Sequence, residues 1–233
     1  MPARAQRLPP CQGQCPARQG GMRTAAIGAV LFDCDGVLAD SEGVANGIVA
    51  EELTALGWPM TPHEAQHEFL GLALPDMEPK IEARIGRLPA GWSRALGRRI
   101  EAALSTGLRP IPGAGAALEA VRAAGLPMAL CSNSSRGELA VKMRVLGFAH
   151  YFEGRIFSFE DVELPKPAPD LYLAAARACG VRPEDCLVVE DSAPGAAAGM
   201  AAGCRVLGIV PGLGVPHIEG MPRFAAHLAG LDG

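Results

Sequence analysis

Acidic, amide, hydroxyl and ammonium side chains stand at the ends of apolar runs in this chain. "AVLFDCDG" closes on Asp33 and Asp35, "MALCSN" on Ser132 and Asn133, and "CLVVED" on Glu190 and Asp191, while "ELPKPAPD" braces Lys166 between two prolines. Each group has a plain structural alternative. Asp35-Gly36 suits a turn, Ser132 and Asn133 can shape one, Glu190 and Asp191 can simply end a strand, and Lys166 can be a surface charge. A D-x-D start also opens a calcium loop of the EF-hand kind, but such a loop needs Gly at its sixth position and Glu at its twelfth, and Gly36 falls at the fourth. A second cluster, "HEAQH" at His63, Glu64 and His67, matches the pattern of two histidine zinc ligands and a catalytic glutamate on a helix. Against a zinc hydrolase, Thr61, Pro62 and Glu64 fit the N-cap, N1 and N3 places of a short helix, and the extended motif's Gly comes one place late with no third His.

The elements that must carry these groups follow from the hydrophobic pattern. Apolar runs ending at Phe32, Cys131, Val189 and Val210, with a weaker one over 155–159, have the continuous character of buried parallel strands. Helical segments lie between them at 113–125, 135–147, 168–180 and 193–203, three of them stopping on Gly125, Gly147 and Gly180. Ser135 and Glu138 form a capping pair, and Lys142 is expected as a solvated partner of Glu138 one turn on. Alternation of strand and helix implies an α/β fold, a Rossmann-like parallel sheet with helices on both faces. The rhythm breaks over 41–109, where only helical pattern occurs. The expected division is therefore a core of 23–40 and 110–233 and an inserted helical cap of 41–109, with hinges near Asp40 and Arg109. In an open parallel sheet ligands bind beyond the carboxyl ends of the strands, where all four groups fall.

Composition narrows the partners. A net charge of -4 over 233 residues, with no local run of Lys and Arg, argues against nucleic acid. No apolar stretch approaches a membrane span, and residues 1–22 lack the apolar core of a signal peptide and are read as disordered, with Met22 a possible start of the folded part. Seven cysteines, an odd number, four of them in or beside apolar runs, fit a reducing cytoplasm. Cys11 and Cys15 lack a second ligand pair at zinc-finger spacing and are expected as free thiols. A monomer or small homo-oligomer is expected.

Four stretches in order, "FDCDGVLADSE", "LCSNSS", "PKPAPDLY" and "VVEDSAPG", resemble the haloacid dehalogenase-like superfamily, and within it the helical-capped group of β-phosphoglucomutases and sugar-phosphate phosphatases. The resemblance covers roughly residues 24–212. It implies a Mg²⁺-dependent phosphatase acting on a small phosphomonoester, a sugar or polyol phosphate, with Asp33 as the nucleophile that forms an aspartyl-phosphate. A phosphate dianion repels an anionic nucleophile unless a cation bridges them. The resemblance implies that Asp33, the Asp35 carbonyl, Asp191 and Glu190, directly or through water, hold that Mg²⁺. Asp35, on the same side of the strand end, would protonate the leaving alkoxide and then deprotonate water. Ser132 and Asn133 would bind the transferring oxygens and Lys166 would offset their charge. Only Lys80, Lys142 and Lys166 among 21 basic residues are lysines, so Lys166 departs from the chain's preference for Arg, which favours a functional need for a compact ammonium.

A β-phosphoglucomutase-like phosphomutase is the alternative. Its characteristic His, cap Arg and loop Lys align here with Ala45, Leu74 and Ser135, and the loss of these groups favours water as acceptor. "PKP", where many relatives carry Gly before the Lys, is a smaller departure. A dehalogenase would not need Asp35, Glu190 and Asp191 together, and a non-catalytic binding protein would not keep every motif member. The arginines at 84, 87, 94, 98 and 99 are either solvated or contact substrate; their pattern leaves both open.

Overall fold

The computed structural model describes residues 27–231. The expected disorder of 1–22, with Cys11, Cys15 and Met22, lies outside the described residues. The order of elements is β1 (Ala29–Phe32), β2 (Ala39–Asp40), α1 (Glu42–Ala55), α2 (Pro62–Phe69), α3 (Leu74–Ile85), α4 (Trp92–Gly107) and β3 (Arg109–Pro110). There follow α5 (Ala114–Ala123), β4 (Met128–Ser132), α6 (Arg136–Leu146), α7 (Ala149–Phe152), β5 (Ile156–Ser158), α8 (Asp170–Cys179), β6 (Cys186–Glu190), α9 (Ala193–Ala201), β7 (Arg205–Gly208) and α10 (Phe224–Leu231). The expected parallel α/β sheet is present. Its order is β5-β4-β1-β6-β7, every pairing parallel.

β1 is central because both its faces are apolar. Val30 and Phe32 join one core layer, with Leu118, Leu130 and Phe224, while Ala29 and Leu31 join the other, with Tyr172, Ala175 and Val188. Burying a side chain such as Phe32 contributes about 2 kcal/mol or more. Topologically, the chain leaves β1 for β4 on one side and reaches β6 on the other, so the crevice at its carboxyl end is the switch point of the sheet.

Helices α1 to α4 pack on one another and, through α4, against α6. The two positions expected to be hinges form a small antiparallel ribbon, Asp40 opposite Arg109 and Ala39 opposite Pro110. Sequence patterning alone did not anticipate this ribbon. Nor did it anticipate α10, which packs on α5 and sets Phe224 5.6 Å from Phe32, ring centre to ring centre.

Candidate active site

The end of β1 is fixed by register. Phe32 sits beside Leu130 of β4 and Val189 of β6, and the Asp33 N–H donates to the Val189 carbonyl at 3.0 Å. Asp33 is therefore held in line with the sheet. The chain then turns tightly, with the Leu38 and Ala39 N–H groups both donating to the Cys34 carbonyl. Gly36 adopts φ +73° in this turn, and a Cβ there would lie 1.8 Å from Asp191 Oδ2. Only a glycine allows both that dihedral and that approach.

Asp33 and Asp35 face different lysines. Lys166 Nζ donates to Asp33 Oδ1 at 2.5 Å, Glu190 Oε1 at 2.7 Å and the Cys131 carbonyl at 2.8 Å, which uses all three of its protons. Glu190 is fully buried and accepts further bonds from the Tyr172 hydroxyl, from the N–H groups of Asp191 and Ser192, and from Ser192 Oγ. Gly195 makes room for it, since a Cβ at that position would lie 1.7 Å from Glu190 Oε1. Glu190 thus acts as the anchor that aims Lys166 at Asp33.

Asp35 belongs to a second cluster. Lys142 Nζ donates to its Oδ1 at 2.5 Å, Ser41 Oγ donates to the same oxygen, and Ser134 Oγ and Ser132 Oγ donate to Oδ2 at 2.8 and 3.2 Å. The expected solvated Lys142 is wrong. It is 2% exposed, and Glu138 stands 3.8 Å away, farther than Asp35. The helical spacing to Glu138 was correct, but α6 turns that face inward. Lys142 escapes the chain's arginine bias as Lys166 does, a sequence signal for its buried role; exposed Lys80 shows how weak that signal is alone.

Burial and the neighbouring charges set the ionisation. Burial raises the Asp33 carboxyl, Lys166 pulls it back, and Glu190 and Asp35 raise it again, leaving it at about 7. Burial, then the charges of Asp33 and Glu190, push Asp191 up to about 9. For Asp35 burial acts upward, but the Lys142 ammonium and the surrounding hydrogen bonds outweigh it and bring its carboxyl down to about 2.

Asp33, Glu190 and Asp191 each present a carboxylate oxygen within 4.8 Å of the others, the grouping of potential metal ligands found among the described residues. This set of hard oxygens, with two carboxyls raised by mutual repulsion and burial, fits a divalent cation. Asn133 is engaged otherwise than as a free donor. Its Nδ2 donates to the carbonyls of Gly71 and Lys166 and its Oδ1 accepts from the Lys166 N–H, so it ties the 166 loop to the helical layer. Glu64 completes a capping box with Thr61 at the exposed start of α2, the role its spacing indicated. The cleft above Asp33 and Asp35, of ≈ 140 Å³, is roofed by residues of α1, α3 and α4 and by the 70–72 turn.

A switch-point crevice holding a lysine-braced aspartate beside a carboxylate cluster defines a hydrolase of one family: residues 27–203 match the haloacid dehalogenase-like hydrolases, and the chain belongs to them. It is 35% identical over 182 residues to the 6-phosphogluconate phosphatase of Escherichia coli, covering 77% of this chain and 81% of that protein. It is 31% identical over 199 residues to hexitol phosphatase A of the same organism, covering 81% and 86%. Among solved structures, a HAD family hydrolase from Deinococcus radiodurans with bound phosphate and sodium has 38% identity and a TM-score of 0.62, over 89% of each chain. No described helix is long and apolar enough to cross a membrane.

Proposed function

We propose that this chain is a Mg²⁺-dependent phosphatase of small phosphomonoesters, with the helical layer 41–109 as the cap over its cleft. The observation that carries the proposal is Lys166 bonded to Asp33 at 2.5 Å within the carboxylate cluster. Asp33 would attack phosphorus through Oδ2, the oxygen Lys166 leaves open, to give an aspartyl-phosphate. Lys166 would offset charge on the transferring oxygens as the cation beside Asp33. Asp33, Asp191 and the Asp35 carbonyl are the residues to hold Mg²⁺, with Glu190 behind them, and the cation, when bound, offsets the repulsion between the carboxylate and the phosphate.

Asp35 is the acid and base. It is ionised in the grip of Lys142, the form able to deprotonate water; to protonate a leaving alkoxide it must first turn away from that ammonium and take up a proton from solvent. Ser132 and Asn133 frame the phosphate end, Ser132 by orienting Asp35 and Asn133 by holding the Lys166 loop and lining the cleft. Water as the acceptor is supported by the cleft wall, where Ala45, Leu74 and Ser135 bring no charge.

The test is phosphate release from small phosphomonoesters with Mg²⁺ and with chelator. Release by the wild type but not by Asp33→Asn, with Asp33→Asn still folded, is the expected result. Full activity in Asp33→Asn, or transfer of phosphate within a sugar instead of its release, overturns the proposal.

A further inference from the structure

Among the described residues, the roof of the cleft brings no Lys or Arg. We infer, building on the phosphatase reading, that the part of the substrate beyond its phosphate is uncharged and hydroxyl-bearing, as in a polyol phosphate, and carries neither a carboxylate nor a second phosphate.

Two cations line the cleft among the described residues, Lys142 and Lys166. Both lie on its floor, are almost fully buried, and are already bonded to Asp35 and to Asp33 and Glu190. The five arginines of 84–99 all stay outside. Each is exposed and none lines the cleft. Arg84 lies over the Trp58 ring at 4.8 Å, and Arg99 pairs with Glu51 and Glu52.

What faces the cleft instead is acidic, neutral-polar or apolar. Glu42 and Glu138 contribute carboxylates, Asn46 and Ser135 neutral polar groups, and Leu74 and Met77 apolar surface. Carboxylates accept hydrogen bonds from hydroxyls, and amides both accept and donate them, at no charge cost. An anionic tail would lose its hydration against Glu42 and Glu138 with no cation to receive it. Like charge at a partly desolvated contact is a strong device for rejecting a wrong partner. Of the two phosphatases compared above, the one named for a hexitol phosphate has a substrate of this kind, whereas 6-phosphogluconate ends in a carboxylate.

Two matched pairs of substrates test this in the Mg²⁺-loaded protein: sorbitol 6-phosphate against 6-phosphogluconate, and glycerol 3-phosphate against 3-phosphoglycerate. Each pair differs by a hydroxymethyl group in place of a carboxylate. Nitrophenyl phosphate serves as the tail-independent probe. In each pair that is turned over, kcat/KM is expected to favour the neutral member by about tenfold or more. Glu42→Gln removes one wall charge at constant shape and should narrow that ratio severalfold; Leu74→Lys, a second route, should narrow it by adding a cation. Equal or reversed preference in either pair overturns the inference, as does turnover of nitrophenyl phosphate with neither pair touched. If the wild type hydrolyses none of the five compounds, the phosphatase reading itself falls, and the inference with it.

Discussion

Lys142 Nζ lies 2.5 Å from Asp35 Oδ1, across 107 residues of chain, with the ammonium almost wholly out of solvent. This pair fixes which way the second aspartate of the D-x-D motif points. Lys142→Met should cost about 3 kcal/mol of stability, because it strands a partly buried carboxylate, and should lower kcat more than it raises KM. Urea unfolding and steady-state kinetics check both. Adding Asp35→Asn should restore much of the stability but none of the activity; if the double variant is as unstable as the single one, the pairing is not what matters.

Gly36 sits against Asp191. Gly36→Ala would place a Cβ 1.8 Å from Asp191 Oδ2 at φ +73°, so the carboxylate must move or the turn must open. Mg²⁺ affinity should fall on the order of tenfold to a hundredfold, read by calorimetric titration, while far-UV circular dichroism stays unchanged. Wild-type affinity in this variant would show that Asp191 does not hold the cation.

The raised carboxyls of Asp33 and Asp191 make metal-free stability pH-dependent. Between the ordinary aspartate value and about 7 and 9, the folded state binds more protons than the unfolded chain. Their contribution to stability is therefore full at low pH and is lost as pH rises through that window. Mg²⁺ competes with those protons. The increase in melting temperature on adding Mg²⁺ should be larger near about pH 8.5 than near about pH 6. Thermal scans with and without Mg²⁺ at both values test this, and an equal increase would contradict it.

"HEAQH" is expected to be structural. Glu64→Ala removes half of the capping box with Thr61, so amide hydrogen exchange at the start of α2 should speed up while turnover is unchanged. Loss of activity together with loss of bound zinc would restore the metallohydrolase reading.

Much of the site was legible because strand ends are legible. Apolar runs of four to six residues stop where Asp33, Ser132 and Glu190 begin, and in a parallel sheet such ends converge by construction. The helical segments were found from their period and their glycine stops. The place of Lys142 is not legible, because a lysine four residues after a glutamate has the same pattern whether its face meets water or a buried carboxylate. The resemblance implies Glu190 as a metal ligand, directly or through water, and the fold shows five hydrogen bonds arriving at its two oxygens.

By itself the sequence determined the α/β alternation, the helical segment between the first two sheet strands, and which carboxylates, hydroxyls and lysines reach the carboxyl rim, since these depend on local periodicity and on where apolar runs end. Only the tertiary structure decided which lysine serves which aspartate, that the arginines of 84–99 turn away from the cleft, and that Glu42 and Glu138 turn toward it. Those outcomes depend on how α4 packs on α6 and how the 133, 166 and 71 loops interlock, and such contacts between distant segments leave no period in the chain.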